Sequence, residues 1–345
     1  MKVATALLSL APALLVAQGK PTGETAEQQI IIAVERIWDR AEHSAFTDLI
    51  AFKGRYYCTF REGSGHIPGL NGLIRVLESD DAQHWRSVAL LDEPHVDLRD
   101  PKLSVTPDQR LCINLGGSFY HGKTRLKMES RVSFSDPEGR NFSPPQAIPM
   151  PPGIHTEMDW LWRITWQDGM AWAAVQQVPT GQPRTLQLVR SRDALNWEAV
   201  HTMQVPFPSE TTLRFLHDGR LLALIRRSGP TPSVGWLGLS KPPFTDWQYR
   251  ELDLPLGGPN LVQLPGGRWL AATRGAGEKM RLGLLDVDKA RFTTLVDLPS
   301  GGDCSYAGLV VEPEKNRVLV SYYSSHEGKS AIYLATLRLD ALEGW

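Results

Sequence analysis

Ser79-Asp80-Asp81-Ala82-Gln83-His84-Trp85 and Ser191-Arg192-Asp193-Ala194-Leu195-Asn196-Trp197 are two copies of one pattern, Ser-x-Asp-x-x-x-Trp. Weaker copies end at Phe142 (after Ser133), Trp247 (after Ser240) and Phe292 (after Asp286). Each ending closes a unit made of a short apolar strand, a turn, a second apolar strand and a third strand. The unit recurs about every fifty residues, the period of β-propeller blades packed around a central channel. The short polar residues of the pattern shape a turn between the third and fourth strands, and its Trp packs between sheets. The pattern therefore marks the scaffold, and the functional site is expected elsewhere, at one mouth of the channel.

Working outward, the first hairpin of each blade is marked by its turn: Lys53-Gly54, Pro107-Asp108, Asp168-Gly169, Asp218-Gly219, Gly266-Gly267 and Glu314-Lys315-Asn316. That makes six. The expected fold class is all-β, a six-bladed β-propeller of four-stranded antiparallel blades. The extra apolar strand Ile30-Ile31-Ile32-Ala33-Val34 precedes the first hairpin. It is expected to complete the last blade and close the ring, which removes exposed sheet edges. In the third blade the run Leu161 to Trp166 reads as one continuous strand.

Residues 27–345 are expected to form this single domain, because no blade can bury its faces alone. Residues 1–19 read differently. Lys2, the apolar run Val3 to Val16 and then Ala17-Gln18-Gly19 have the form of a secretory signal, and the run is short for a membrane span. Export to a periplasmic or extracellular space follows as an expectation, without a membrane span. The 345 residues carry a formal net charge of −1, which gives no bias toward nucleic acid. Cys58, Cys112 and Cys304 are too few for a disulfide framework and are expected as buried thiols. No Cys/His ligand cluster stands out along the chain, so neither metal nor cofactor is expected. A monomer is expected.

In an antiparallel hairpin the start of the first strand and the end of the second share a rim. Those positions hold His43, Arg61, Glu62 and His66 in blade one, Arg99 and Asp100 in blade two, Glu210 and Arg226 in blade four, Arg274 in blade five and Asp303 and Tyr306 in blade six. Arg61, Arg226 and Arg274 follow apolar strands in the same slot of three blades. A guanidinium cluster of this kind can grip a carboxylate through paired, charge-assisted hydrogen bonds. Trp160 is the ring nearest the rim and the best candidate to stack on a sugar. The histidines are candidate proton carriers.

These pieces resemble the sialidase (neuraminidase) superfamily. Ser209-Glu210-Thr211, followed by Asp218-Gly219-Arg220-Leu221-Leu222 and then Arg226, looks like the segment holding that family's catalytic Glu and a substrate-binding Arg. Arg274 looks like another carboxylate-binding Arg. Asp303-Cys304-Ser305-Tyr306-Ala307-Gly308-Leu309 resembles the segment bearing the nucleophilic Tyr. The resemblance implies an exo-acting hydrolase that removes a terminal acidic sugar from a glycan or oligosaccharide. Tyr306 would attack the anomeric carbon with Glu210 as its base, and Arg61, Arg226 and Arg274 would hold the carboxylate. A neutral phenol approaches an anionic sugar without charge repulsion, but its ordinary pKa near 10 demands a base.

Two departures accompany the likeness. Where the family has Phe/Tyr-Arg-Ile-Pro, this chain has Ser44-Ala45-Phe46-Thr47-Asp48, so Arg61 or Arg99 would have to supply the missing guanidinium. The loop from Glu62 to Gly72 contains no Asp, so Glu62 or His66 would have to carry the acid/base proton. Two alternatives stay open: a uronate-directed glycosidase or lyase using a His on the same propeller, and a propeller that binds acidic glycans without cleaving them.

Overall fold

The computed structural model describes residues 29–67, 72–229, 233–275 and 277–343. The signal-like segment 1–19 lies outside the described residues. Six four-stranded antiparallel sheets are arranged as a propeller, the third with its innermost strand in two pieces. Blade one comprises His43–Phe52, Arg55–Gly63, Leu73–Ser79 and Arg86–Leu91. The innermost strands of blades two, four, five and six are Asp97–Val105, Pro208–Phe215, Asn260–Gln263 and Cys304–Glu312. The strand Ile31–Trp38 pairs antiparallel with Ala331–Arg338 as the outermost strand of blade six, closing the ring as expected.

The hairpin turns form where the sequence allows left-handed backbone. Lys53 and Gly54 have φ of 48° and 77°, and Asp168 and Gly169 have 51° and 73°. Two successive positive φ values match the twist of the flanking strands. Between blades the facing strands bury apolar side chains, as with Leu270 and Leu282 of blade five against Val318 and Tyr322 of blade six. Each such fully buried side chain contributes roughly 1.5–3 kcal/mol. Cys58, Cys112 and Cys304 are buried free thiols, as expected.

Blade three departs from expectation. Its inner edge is two short pieces, Asp159–Leu161 and Thr165–Gln167, rather than one strand. The interruption lets Arg163 turn into the channel, where its guanidinium donates to both carboxylate oxygens of Asp48 at 2.7 and 3.1 Å. In the same break the Trp162 carbonyl accepts from Asn114 at 2.9 Å.

That contact belongs to a closed polar ring. Inner strands of neighbouring blades are not laddered to one another, so side chains bridge every junction. Thr47 donates to the Tyr306 carbonyl at 2.7 Å, and Asp48 accepts the Leu103 amide at 2.7 Å. Thr165 donates to the Leu213 carbonyl at 2.8 Å, Thr212 to that of Pro259 at 2.7 Å and Asn260 to that of Ala307 at 2.9 Å. The ring fixes the heights of the inner strands relative to one another, and thereby the positions of the side chains at the mouth.

Candidate active site

At the mouth the inner strands of blades one, two, four and six each carry a bulge, with register shifts between Ala45 and Asp48, Arg99 and Lys102, Pro208 and Thr211, and Ser305 and Gly308. A bulge re-aims the side chains it carries. The bulges present Phe46, Asp100, Glu210 and Tyr306. Tyr306 has φ of 56°, unusual for an aromatic residue, after Ser305 at 147°. Its neighbours hold it there. Ser305 donates to the Gly257 carbonyl at 2.7 Å, and a Cβ on Gly258 (φ 60°) would sit 2.9 Å from both the Ser305 hydroxyl and the Tyr306 ring. Blade five can approach Tyr306 this closely only with glycine at that position.

The Tyr306 hydroxyl donates to Glu210 Oε1 at 2.5 Å. Arg226 donates to both oxygens of Glu210 at 2.7 and 2.8 Å, and the Gly258 amide to Oε2 at 2.9 Å. Burial alone would raise the Glu210 carboxyl, but Arg226 and these hydrogen bonds outweigh it and hold Glu210 below its ordinary value. Burial, with the Glu210 charge adding to it, pushes the Tyr306 phenol well above its ordinary value. The resting pair is therefore a protonated phenol donating to a carboxylate, which is a nucleophile with its base already in hydrogen-bond reach.

Tyr306 and Glu210 open onto a cavity of about 300 Å³, whose wall also includes His66, Arg99, Asp100 and Trp160. Arg99 donates to Asp100 at 3.2 Å and to the Tyr120 hydroxyl at 3.3 Å, with its guanidinium 5.0 Å above the Phe46 ring. Another hollow, of about 290 Å³ beside Asp193, lies by the outer strands.

Several expected residues lie elsewhere. Successive residues of a strand face opposite ways, and Arg61 and Glu62 are each taken up by a neighbour. Arg61 is fully buried, donating to Asp97 at 2.8 Å and to the Gly65 carbonyl at 2.9 Å, so it is not part of a clamp at the cavity. Glu62 accepts from Trp38 at 2.6 Å and Arg75 at 2.7 Å, and lies outside the cavity wall. Arg274 ends its strand half-buried behind the wall, near Tyr323 and Cys304, with no side-chain partner among the described residues.

His43 is also behind the wall, where three rim residues, His43, His66 and Asp303, meet in one cluster. Asp303 Oδ2 meets His43 Nε2 at 2.8 Å and His66 Nδ1 at 2.7 Å, while Oδ1 accepts from Tyr323 at 2.8 Å. Burial would raise the Asp303 carboxyl, but the two imidazoles and Tyr323 pull it far below its ordinary value. His66 Nε2 keeps no protein partner among the described residues. An Asp–His dyad with its outer nitrogen free at a cavity can move a proton. His43, His66 and Asp303 also lie close enough to share a metal ion, although both N···O distances are those of hydrogen bonds to the carboxylate.

Lys102 was missed as well. It lies fully buried beneath the site, its ammonium 4.6 Å from the Trp162 ring and 5.4 Å from that of Tyr306. Burial pushes it down to about 8. A lysine inside the apolar run Pro101-Lys102-Leu103 was the available signal.

No family profile matches this chain, and no curated protein matches it. Solved structures do. A protein of unknown function from Dyadobacter fermentans is 20% identical over 90% of this chain and 99% of its own, with a TM-score of 0.77. An α-L-arabinofuranosidase from Fusarium graminearum, solved with an iminosugar inhibitor, is 14% identical over 91% of this chain and 99% of its own, with a TM-score of 0.71. Trypanosoma rangeli sialidase, solved with the inhibitor DANA, is 11% identical over 86% of this chain, with a TM-score of 0.69. The chain spans about half of that sialidase, 55% of its length. What they share with this chain is the propeller fold. Among the described residues no helix is long and apolar enough to cross a membrane.

Proposed function

We propose that this protein is an exported, exo-acting glycoside hydrolase that removes a terminal acidic sugar through a covalent tyrosyl intermediate. One observation carries the reading: the Tyr306 hydroxyl lies 2.5 Å from a buried Glu210 that Arg226 keeps ionised. In the first step Tyr306 Oη bonds to the anomeric carbon and its proton passes to Glu210. The glycosidic C–O bond breaks, and the departing oxygen takes a proton from His66 Nε2, whose Nδ1–H is held by Asp303. In the second step water attacks the same carbon and gives its proton to His66, while Tyr306 leaves and recovers its own from Glu210. Arg99, over Phe46, stands in for the guanidinium absent from blade one and receives the sugar carboxylate together with the free nitrogens of Arg226.

The His66–Asp303 dyad also favours a second reading, β-elimination from a uronate, in which His66 would take or give the proton. One experiment separates the two. The protein is incubated with sialylated and uronate-capped oligosaccharides and the products are weighed. Hydrolysis adds the mass of one water across the cleaved bond. Elimination adds none and leaves an unsaturated product absorbing in the near ultraviolet. No cleavage of any acidic glycan would overturn both.

A further inference from the structure

The wall of the cavity built by blades two and three has hydrogen-bonding groups that the protein does not satisfy. Arg125, half-buried, and Arg184, exposed, both line it, and neither has a carboxylate partner among the described residues. The hydrogen bond recorded for the Arg125 guanidinium is to the Met128 sulfur at 3.6 Å. Asp100, a carboxylate of the same cavity, is already engaged by Arg99 at 3.2 Å. Two further atoms are stranded. Gln176, 7% exposed, has a buried Oε1 with no partner, and the buried Trp160 Nε1 also has none. Both residues line the cavity beside the arginines, on adjacent strands where Trp160 is registered opposite Gln176.

Buried polar atoms in folded proteins are nearly always paired, and a desolvated cation without a counter-charge is costly. Burial depresses the Arg125 guanidinium below its ordinary value; Arg99 and Arg184 add to this, while Tyr120 and Asp100 offset part of it without a direct ion pair. The unmet set consists of two guanidinium donors, one indole donor and one amide acceptor. A sugar with an anionic substituent and a neighbouring hydroxyl would satisfy it, the anion on the arginines and the hydroxyl on Gln176.

We infer that Arg125, Arg184, Gln176 and Trp160 form a second sugar subsite, separate from Tyr306 and Glu210, that takes a carboxylated or sulfated unit of the glycan. The inference rests on the glycan-cleaving reading, and it narrows the substrate to a chain with an anionic unit beside the scissile bond.

The test uses the whole protein carrying Tyr306→Phe, so that ligands bind without turnover. Calorimetric titration compares three oligosaccharides that share a terminal acidic sugar and differ in the next unit: uronate, sulfated or neutral. Arg125→Gln with Arg184→Gln is expected to weaken the two anionic ligands by about 10-fold or more and the neutral one by less than about 2-fold. Whichever anionic ligand binds more tightly before that change identifies carboxylate or sulfate as the natural group. Arg125→Lys should restore part of the loss, which a folding defect would not. Equal affinity for all three ligands, or equal weakening of all three, overturns the subsite. Turnover that survives Tyr306→Phe would overturn the covalent mechanism and leave the subsite standing.

Discussion

The outer turns and the inner bulges of this propeller are both repeated, but in opposite ways. In the outer turns backbone and residues repeat together. Asp81 Oδ1 accepts the Gln83 and His84 amides, both at 2.8 Å, and Asp193 Oδ1 accepts those of Leu195 and Asn196 at 2.8 and 2.7 Å. Ala82 and Ala194 share a left-handed φ of 66° and 61°, and each Trp indole donates to the carbonyl three residues before it. In the inner bulges the backbone repeats and the residues do not. Phe46, Asp100 and Tyr306 have φ of 63°, 54° and 56°, yet offer a phenyl ring, a carboxylate and a phenol. Identical residues in an identical turn, in blades one and three, answer the same structural demand in both. Unlike residues at the same left-handed position of three bulges answer a demand that arises once, where all the blades converge.

That contrast is sharpest at Tyr306. Removing its hydroxyl leaves ring and bulge in place, so Tyr306→Phe is expected to fold normally and lose turnover by about 10³-fold or more. Glu210→Gln, which keeps the shape and removes the base, should cost about 10²–10⁴-fold. Steady-state kinetics on an acidic glycoside checks both, and near-full activity in either variant would reduce the bulge to another piece of scaffold.

The ring beneath the bulges gives the next largest effect, on stability. Asp48 binds Arg163 through both oxygens and also accepts the Leu103 amide. Asp48→Ala would leave Arg163 buried without a counter-charge, a change that costs about 3–5 kcal/mol. Denaturant unfolding measures it. A loss below 1 kcal/mol would mean that the inner strands hold their heights without the ring.

Arg226 tests the electrostatics of the mouth. It lowers the Glu210 carboxyl against the effect of burial. The base must be ionised to work, so the acid limb of kcat/KM lies below the ordinary carboxylate range. Arg226→Gln removes the largest force holding that charge, so the acid limb should move to higher pH, with a fall of about 10²-fold at neutral pH. His66→Ala makes a companion measurement. If His66 delivers the proton, the loss should be about 10²-fold with a poor leaving group and should shrink with a nitrophenyl leaving group, which needs no proton. An equal loss with both would remove His66 from the mechanism.

The residues explain how much of this the sequence carried. The turns recur at a fixed spacing and announce themselves, and so do Glu210 and Tyr306, because their segments resemble a known family locally. Arg61 shows where rim position ceases to be informative. It ends an apolar strand in the slot that Arg226 also occupies, but Asp97, from the neighbouring blade, pulls it into the wall at 2.8 Å. The dyad was hidden for the same reason, since His66 and Asp303 are 237 residues apart and meet only because blade six closes against blade one. Strand pattern gives the height of a residue on its blade. The direction its side chain takes depends on a partner from another blade, which no local pattern encodes.

The smallest effect belongs to the outer turns. Asp193 is exposed and holds two backbone amides and the Asn196 side chain. Burial would raise its carboxyl, but those hydrogen bonds pull it down to about 2. Its folded value lies below the unfolded one near 4, so its contribution is fully present above pH 4 and is lost as pH falls toward 2. The site is open to solvent, so the contribution is modest. Asp193→Ala is expected to cost about 1 kcal/mol at neutral pH and clearly less at pH 2, with kcat/KM unchanged. Thermal unfolding at the two pH values, beside a rate assay, tests this. A fall in kcat/KM with stability intact would mean that the repeated turns serve the mouth as well as the blades.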